Sequence, residues 1–211
     1  MKIRILWALL ALPLICPDLQ AQDEPIRFAK GKFLVGIGIN IGFFNPEDVN
    51  QYIEDWMSSK GFLELLGTSD MIMNLGAHFD MGYRINDNIE LYGTLEYCAG
   101  MKYISVSGGS NYFFHLSRFS PGFIANILIP LSSSARNSFF IGGGVLYHIM
   151  KFEEYSGNTA GYRIQAGFSL NNFNFNPQIF LAYDGAKTSD QDYENFELKF
   201  SGIQIGVNLN F

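Results

Sequence analysis

The sequence predicts an all-β fold: an eight-stranded antiparallel up-and-down transmembrane β-barrel with one short amphipathic helix in the first outer loop. Three observations carry this. The 211-residue chain is 48% hydrophobic and 16% aromatic but only 16% charged, well below the ~25% charged residues of a typical soluble domain. Beyond the N-terminal stretch, no segment reaches the ~18 consecutive apolar residues that a transmembrane helix needs. Finally, period-2 alternation recurs in eight segments, with bulky apolar residues on one face and Gly, Ser, Asn and charged residues on the other.

Residues 1–21 read as a secretory signal peptide. Lys2 and Arg4 give the positive start, Ile5 to Ile15 the apolar stretch, and Leu19-Gln20-Ala21 the cleavage site. The stretch is too short to span a bilayer as an anchor. Ile15, rather than a small residue, precedes Cys16, which argues against a lipoprotein signal. The barrel domain is then 22–211. Lys2, Arg4 and Asp18 leave with the leader, so the remainder is one unit more negative than the −6 of the whole chain. That balance argues against a nucleic-acid partner. Cys98 remains as the one cysteine, so no intrachain disulfide is expected.

The first strand alternates Phe33, Val35, Ile37, Ile39, Ile41 and Phe43 with Gly36, Gly38, Asn40 and Gly42, Leu34 being the exception. A helix over about 46–60 follows. Asn45 caps it, Pro46 suits its first position, Glu47 and Asp48 favour the positive end, and Gly61 ends it. Val49, Tyr52, Ile53, Trp56 and Met57 fall at i, i+3, i+4, i+7 and i+8, opposite an acidic face of Glu47, Asp48, Glu54 and Asp55. Such a helix lies over the barrel rim, closes the mouth as a lid, or rests in the outer leaflet.

The second strand sets Met71, Met73, Leu75, Ala77, Phe79, Met81 and Tyr83 against Asn74, Gly76, His78, Asp80, Gly82 and Arg84. The third, Ile89–Tyr103, sets Leu91, Leu95, Tyr97 and Met101 against Glu90, Thr94, Glu96 and Lys102. The fourth, about Tyr112–Ile129, sets Phe119, Phe123, Ala125, Ile127 and Ile129 against Arg118, Ser120, Gly122 and Asn126. The fifth, Ser138–Phe152, sets Phe139, Ile141, Val145, Tyr147 and Ile149 against Gly142, Gly144 and His148. The sixth, Gly161–Leu170, sets Tyr162, Ile164, Ala166 and Phe168 against Arg163, Gln165, Gly167 and Ser169. The seventh, Phe173–Asp184, sets Phe175, Ile179, Leu181 and Tyr183 against Asn174, Asn176, Gln178 and Asp184.

The last strand alternates most regularly: Ile203, Ile205, Val207, Leu209 and Phe211 against Gln204, Gly206, Asn208 and Asn210. Upstream, Phe196, Leu198 and Phe200 hold the opposite parity, so a bulge is expected at Ser201-Gly202. The membrane-inserting part is then Ile203–Phe211, near the ~9–11 residues that cross a bilayer. Asn86-Asp87-Asn88 and Asn171-Asn172 are tight-turn signals, and Pro130–Asn137 is a longer Ser-rich connection. The alternate connections, Asn45–Ser69, Ile104–Asn111, Glu153–Thr159 and Gly185–Asn195, are longer, as in a meander barrel with one short-turn end.

Side-chain size decides which face looks outward. Gly, Ser and Asn fit the narrow interior of eight strands, whereas the Ile, Leu, Phe, Met and Tyr face is too bulky for it. Tyr83, Tyr103, Tyr112, Tyr147, Tyr162 and Tyr183 suit aromatic girdles. The competing folds are a soluble secreted ligand-binding barrel with the faces reversed and a two-sheet sandwich. Asp80, Arg84, Glu90, Glu96, Lys102, Arg118 and Arg163 then point into the lumen, where both signs can pair; left unpaired they would be costly. A structural network, rather than a gated ion path, is expected of so narrow an interior. His78 and His148 share the lumen face without metal-ligand spacing; satisfied interior histidines are expected, with no metal and no cofactor.

The ending FSGIQIGVNLNF resembles that of the small bacterial outer-membrane barrels of the OmpA and OmpW type, over roughly the whole chain after the leader. Members of that group close on an aromatic residue preceded by alternating apolar positions, which the barrel-assembly machinery reads. The resemblance implies a bacterial outer-membrane location, both termini on the periplasmic side, contact with outer-membrane lipid, and a monomer. Expected roles are non-catalytic: membrane integrity, surface interaction, or at most passage of very small solutes.

His115-Leu116-Ser117 resembles the His-x-Ser motif of the outer-membrane lipid A deacylases. On that resemblance His115 is the base, Ser117 the nucleophile, and Glu153 or Glu154 the acid partner. The chain departs from the family in having Arg118 where Asn usually follows the Ser. A lipid A-modifying enzyme is therefore the alternative reading.

Overall fold

The structure is a computed structural model, and it describes residues 32–44, 47–60, 72–105, 111–131, 137–153, 155–170, 176–189 and 197–211. The expected signal peptide, the helix-capping residues Asn45, Pro46 and Gly61, the Asn171-Asn172 turn, and Met71, Phe173, Asn174, Phe175 and Phe196 lie outside them.

Eight strands close in sequence order: β1 (Lys32–Phe44), β2 (Ile72–Asn86), β3 (Ile89–Ser105), β4 (Asn111–Pro130), β5 (Asn137–Phe152), β6 (Tyr155–Leu170), β7 (Asn176–Ser189) and β8 (Glu197–Asn210). All neighbours are antiparallel, and β1 pairs with β8 through Ile39↔Val207 and Ile41↔Ile205. The terminal aromatic is part of the seam. The Phe211 N–H donates to the Val35 carbonyl at 2.8 Å, and the Val35 N–H returns the bond at 3.4 Å. Closure leaves no open sheet edge along this seam, which a membrane demands.

The pleat sorts the residues as alternation requires. Ile37, Ile39, Leu75, Met81, Leu95, Ile127, Ile164, Leu181, Ile203 and Ile205 point outward, and Phe123 is 79% exposed. Asn40, Asp80, Glu96, Arg118, Asn126, Arg163, Gln204 and Asn208 are buried inside. The interior is not filled by small residues alone. Phe140, Phe180, Leu128 and Ala182 form an apolar cluster within it. Glycines make the room: a Cβ on Gly206 would lie 2.3 Å from Phe180 Cζ, and one on Gly167 would lie 2.8 Å from Phe140 Cζ.

The expected bulge at Ser201-Gly202 is absent. The β7–β8 register runs unbroken from Asn176↔Asn210 through Asp184↔Gly202 and Gly185↔Ser201 to Ser189↔Glu197. What slips in the sequence is not the backbone. At the loop end the described interior residues include a buried apolar layer. Ala186, the register partner of Phe200, belongs to that buried apolar layer. A register shift occurs instead between Arg84 and Asn86, beside the β2–β3 turn, where the Asn88 N–H donates to Asn86 Oδ1 at 2.8 Å.

The connection expected over Glu153–Thr159 is also different. Phe152 pairs with Tyr155, so only two residues separate β5 from β6. Glu153 adopts φ +51°, the left-handed geometry that a two-residue hairpin favours. Gly157, Asn158 and Thr159 resemble a turn in sequence but lie in the ladder, opposite Met150, Ile149 and His148. Short and long connections therefore do not alternate strictly.

The helix α1 spans Glu47–Ser59. Val49, Ile53 and Met57 are buried among the inward-facing Phe44, Ile72, Ile104, Phe114, Leu116, Met150 and Phe152, while Gln51, Glu54, Asp55 and Ser58 stay exposed. Of the sequence readings the lid fits: α1 plugs the loop-end mouth with its apolar stripe. Lys102 Nζ ties it further by donating to Asn50 Oδ1.

Candidate functional site: a sealed polar lumen

Below the plug sits a layer of buried charge. Glu96 on β3 accepts from Arg118 Nη2 at 2.5 Å and, through both oxygens, from Arg163 Nη2 at 3.0 and 2.9 Å. Asp184 on β7 accepts from Arg118 Nη1 at 2.9 Å and from Arg163 Nε and Nη2 at 2.7 and 2.8 Å. Each guanidinium thus bridges the same two carboxylates, and all four side chains are at most 3% exposed. Asn40 Nδ2 donates to Glu96 Oε2 at 3.0 Å, and Gln204 Nε2 donates to Asp184 Oδ2 at 2.7 Å. Free Cys98 contacts Glu96 Oε1 at 3.4 Å. Arg118 also lies 5.0 Å from the Phe44 ring centroid, a cation–π contact where the polar layer meets the plug.

Toward the end carrying the C-terminus, Arg84 Nε donates to Glu90 Oε1 at 2.9 Å, and Gln178 Nε2 reaches Glu90 Oε2 at 3.3 Å. Asn208 Nδ2 donates to Asp80 Oδ2 at 2.7 Å. Gln165 Nε2 bonds the Tyr92 hydroxyl at 2.6 Å and Asn126 Oδ1 at 2.9 Å. The spaces left in this part of the lumen are each about 10 Å³, roughly one water-sized probe.

The seven expected lumen residues are all buried inside, but not as one network. Glu96, Arg118 and Arg163 come together; Arg84 and Glu90 form a separate pair; Asp80 serves Asn208; and Lys102 serves α1. Asp184 is the charged residue missing from the expected set, and Asn40, Gln178, Gln204 and Asn208 are neutral partners also missing from it. Charge counting could have found Asp184. Arg84, Lys102, Arg118 and Arg163 outnumber Asp80, Glu90 and Glu96 by one, and Asp184 shares their parity.

The interior histidines are only partly satisfied. His148 Nδ1 lies 2.9 Å from Ser120 Oγ, while its Nε2 has no partner. His78 Nε2 lies 3.7 Å from Asp80 Oδ2, beyond hydrogen-bond length. No cluster of metal-ligating side chains occurs among the described residues.

His115 and Ser117 face outward near the loop end, as the strand parity requires. Glu154 lies outside the described residues, and among those described the two are not joined into a catalytic chain. Glu153 Oε1 accepts from the His115 backbone N–H at 2.6 Å, not from the imidazole, and Glu153 N–H returns a 3.3 Å bond to the His115 carbonyl. The carboxylate therefore staples the β4 backbone to the β5–β6 turn and leaves the histidine ring unoriented by it.

An apolar outside, a charge-balanced inside and a closed ladder define a β-barrel of the transmembrane type with an occluded lumen. Comparison with solved structures returns the same class. The fold is similar to Neisserial surface protein A at 14% identity and a TM-score of 0.55, covering 86% of this chain and 99% of that one. It is similar to the outer membrane protein OprG from Pseudomonas aeruginosa at 13% identity and a TM-score of 0.52, covering 90% and 99%. At such identities the shared property is the fold. No family model matches the chain, and no curated protein matches it.

Proposed function

We propose that this chain is a non-catalytic protein of the bacterial outer membrane, a plugged barrel that works as a rigid membrane-embedded support for its loop-end surface. The observation that carries this reading is the filled lumen. Spaces of about 10 Å³ lie below a doubly bridged Arg–carboxylate layer and a helical plug, which supports a barrel whose described residues leave no wide solute path. The lipid-facing band supports membrane residence, and the fold likeness to two small barrels supports the outer membrane. On this reading the leader 1–21 directs export, the strand Ile203–Phe211 is read by the barrel-assembly machinery, the surrounding partner is outer-membrane lipid, and the folded protein is a monomer.

The test combines localisation with activity. Outer-membrane fractions should contain a band whose gel mobility changes on heating, and the purified protein should give no steady channel in a planar bilayer. A resolved open-channel current, or recovery as a soluble periplasmic protein, would overturn the reading. Mass spectrometry of lipid A should show no change on expression. Loss of an acyl chain that disappears in Ser117→Ala would move the protein to the enzymatic alternative.

A further inference from the structure

At the loop-end rim, between the plug and the barrel wall, lies an open pocket of about 350 Å³ lined by Tyr52, Trp56, Tyr112, Phe113, Phe114 and Glu153. It is far larger than the two lumen spaces of about 10 Å³, and five of its six lining residues are aromatic. Its walls stand at steep angles rather than in a stack. Trp56 meets Tyr112 at 4.8 Å and 71°, and Phe114 at 5.4 Å and 86°; Tyr52 meets Phe114 at 6.5 Å and 87°. Edge-to-face packing of this kind turns neighbouring rings to different directions, so several π-faces can border one volume.

The sixth residue carries the charge. Glu153 is exposed and sits in the left-handed conformation at φ +51°, a geometry uncommon for a residue that is not Gly, Asn or Asp. Its Oε1 is fixed by the His115 N–H at 2.6 Å, and its Oε2 has no hydrogen bond among the described residues. The carboxylate is thus held beside the rings by two local constraints. The exposed charges around it are mixed, Glu54 and Asp55 against Lys60 and Lys151, so Glu153 is the charge that belongs to the pocket itself.

We propose that this pocket is an organic-cation site, binding an alkylated ammonium group of the kind carried by choline. The ring faces offer the negative side of their quadrupoles, and Glu153 supplies the counter-charge. A phosphate or carboxylate ligand is disfavoured, because the fixed charge in the pocket is negative. This site is independent of the barrel's occlusion, since it opens at the rim. The same ammonium group could be presented by a free solute or by a phospholipid headgroup on another membrane.

Trp56 provides the readout. The chain holds two tryptophans, so a Trp7→Phe background leaves Trp56 as the sole indole. The full chain, folded in an alkyl maltoside, is titrated with choline and, in parallel, with its uncharged isostere 3,3-dimethylbutan-1-ol. Choline should change Trp56 fluorescence saturably, and the isostere should bind at least about fivefold more weakly, the ratio set by about 1 kcal/mol of cation–π and charge attraction. Glu153→Gln should weaken choline by about fivefold and Tyr112→Leu by about threefold, while Glu54→Gln, outside the pocket, should leave it unchanged. Heat-modifiable mobility confirms that each variant is folded. For the source, protein in anionic-lipid nanodiscs is floated with phosphatidylcholine vesicles: choline-competed flotation identifies a membrane headgroup, and choline binding without flotation a free solute. Equal binding of choline and the isostere, or no saturable response in folded protein, would overturn the proposal.

Discussion

Arg163 on β6 and Asp184 on β7 are direct register partners and meet at two points, Nε to Oδ1 at 2.7 Å and Nη2 to Oδ2 at 2.8 Å. This fork-to-fork geometry is the strongest form an ion pair takes. Here it also closes a ring, because Arg118 joins Asp184 to Glu96 and Glu96 returns to Arg163. Four charges from β3, β4, β6 and β7 are thereby tied across the lumen. The ring braces opposite walls and fills the cross-section with the same atoms.

Removing one member strands the rest. Asp184→Asn leaves two buried guanidinium groups to share Glu96. Breaking a buried pair from one side costs about 3–5 kcal/mol, so the unfolding free energy in lipid vesicles, read from urea titration, should fall by that order. Adding Arg163→Met should recover part of the loss, because each charge then has a partner again. A single-variant loss below about 1 kcal/mol would show that the ring is dispensable for stability.

Gly206 permits Phe180 to lie inside the barrel. A Cβ there would sit 2.3 Å from Phe180 Cζ and 2.9 Å from the Ile39 carbonyl oxygen. Gly206→Ala should therefore destabilise by about 1–3 kcal/mol through overpacking, measured by the same titration. Phe180→Leu should relieve most of this in the double variant, since the nearest atom is the far end of a side chain. An additive double variant would place the strain in the backbone instead.

Alternation made the strands, their order and the facing of Phe123 or Arg118 legible, because a period of two leaves each residue only two places to go. Two features were masked by local chemistry. Gly157-Asn158-Thr159 carries turn residues, yet tertiary pairing with Met150, Ile149 and His148 holds it in the ladder. Ser201-Gly202 looks like a bulge from the parity of Phe196, Leu198 and Phe200, yet the ladder with β7 runs through it unbroken. The lumen charges could be gathered from parity, but their partition into a four-charge ring and an isolated Arg84–Glu90 pair depends on strand stagger. The rim pocket was invisible for the same reason: α1, the start of β4 and the β5–β6 turn meet only in the closed barrel.

The plug should detach without unfolding the barrel. Ile53 is 1% exposed within the mouth, and a carboxylate there would be buried without a partner. Ile53→Asp should release α1 from Phe44, Phe114 and Phe152, because the helix contributes no strand to the ladder. Limited proteolysis should then cut within residues 47–60 at least about tenfold faster, the factor set by about 1.4 kcal/mol of lost docking, while heat-modifiable mobility stays. Even so, no large channel should open, since the Arg118–Glu96–Arg163–Asp184 layer remains beneath. A variant that conducts strongly would identify α1, not the charge layer, as the seal.

The outward face provides the sharpest separation between a lipid-facing barrel and a soluble fold. Phe123 is 79% exposed and lies midway along β4, paired with Gly93 and Val145. On a soluble protein, replacing so exposed a phenylalanine by arginine would be neutral or would improve solubility. At the middle of a lipid band the same change costs about 2–4 kcal/mol. Phe123→Arg should therefore lower stability in vesicles by that amount, and Leu131→Arg, at the end of β4 near the membrane boundary, should lower it by no more than about 1 kcal/mol. Phe123→Leu controls for loss of the ring. Equal effects of arginine at 123 and 131 would remove the depth dependence that a bilayer imposes, and with it the assignment of this face to lipid.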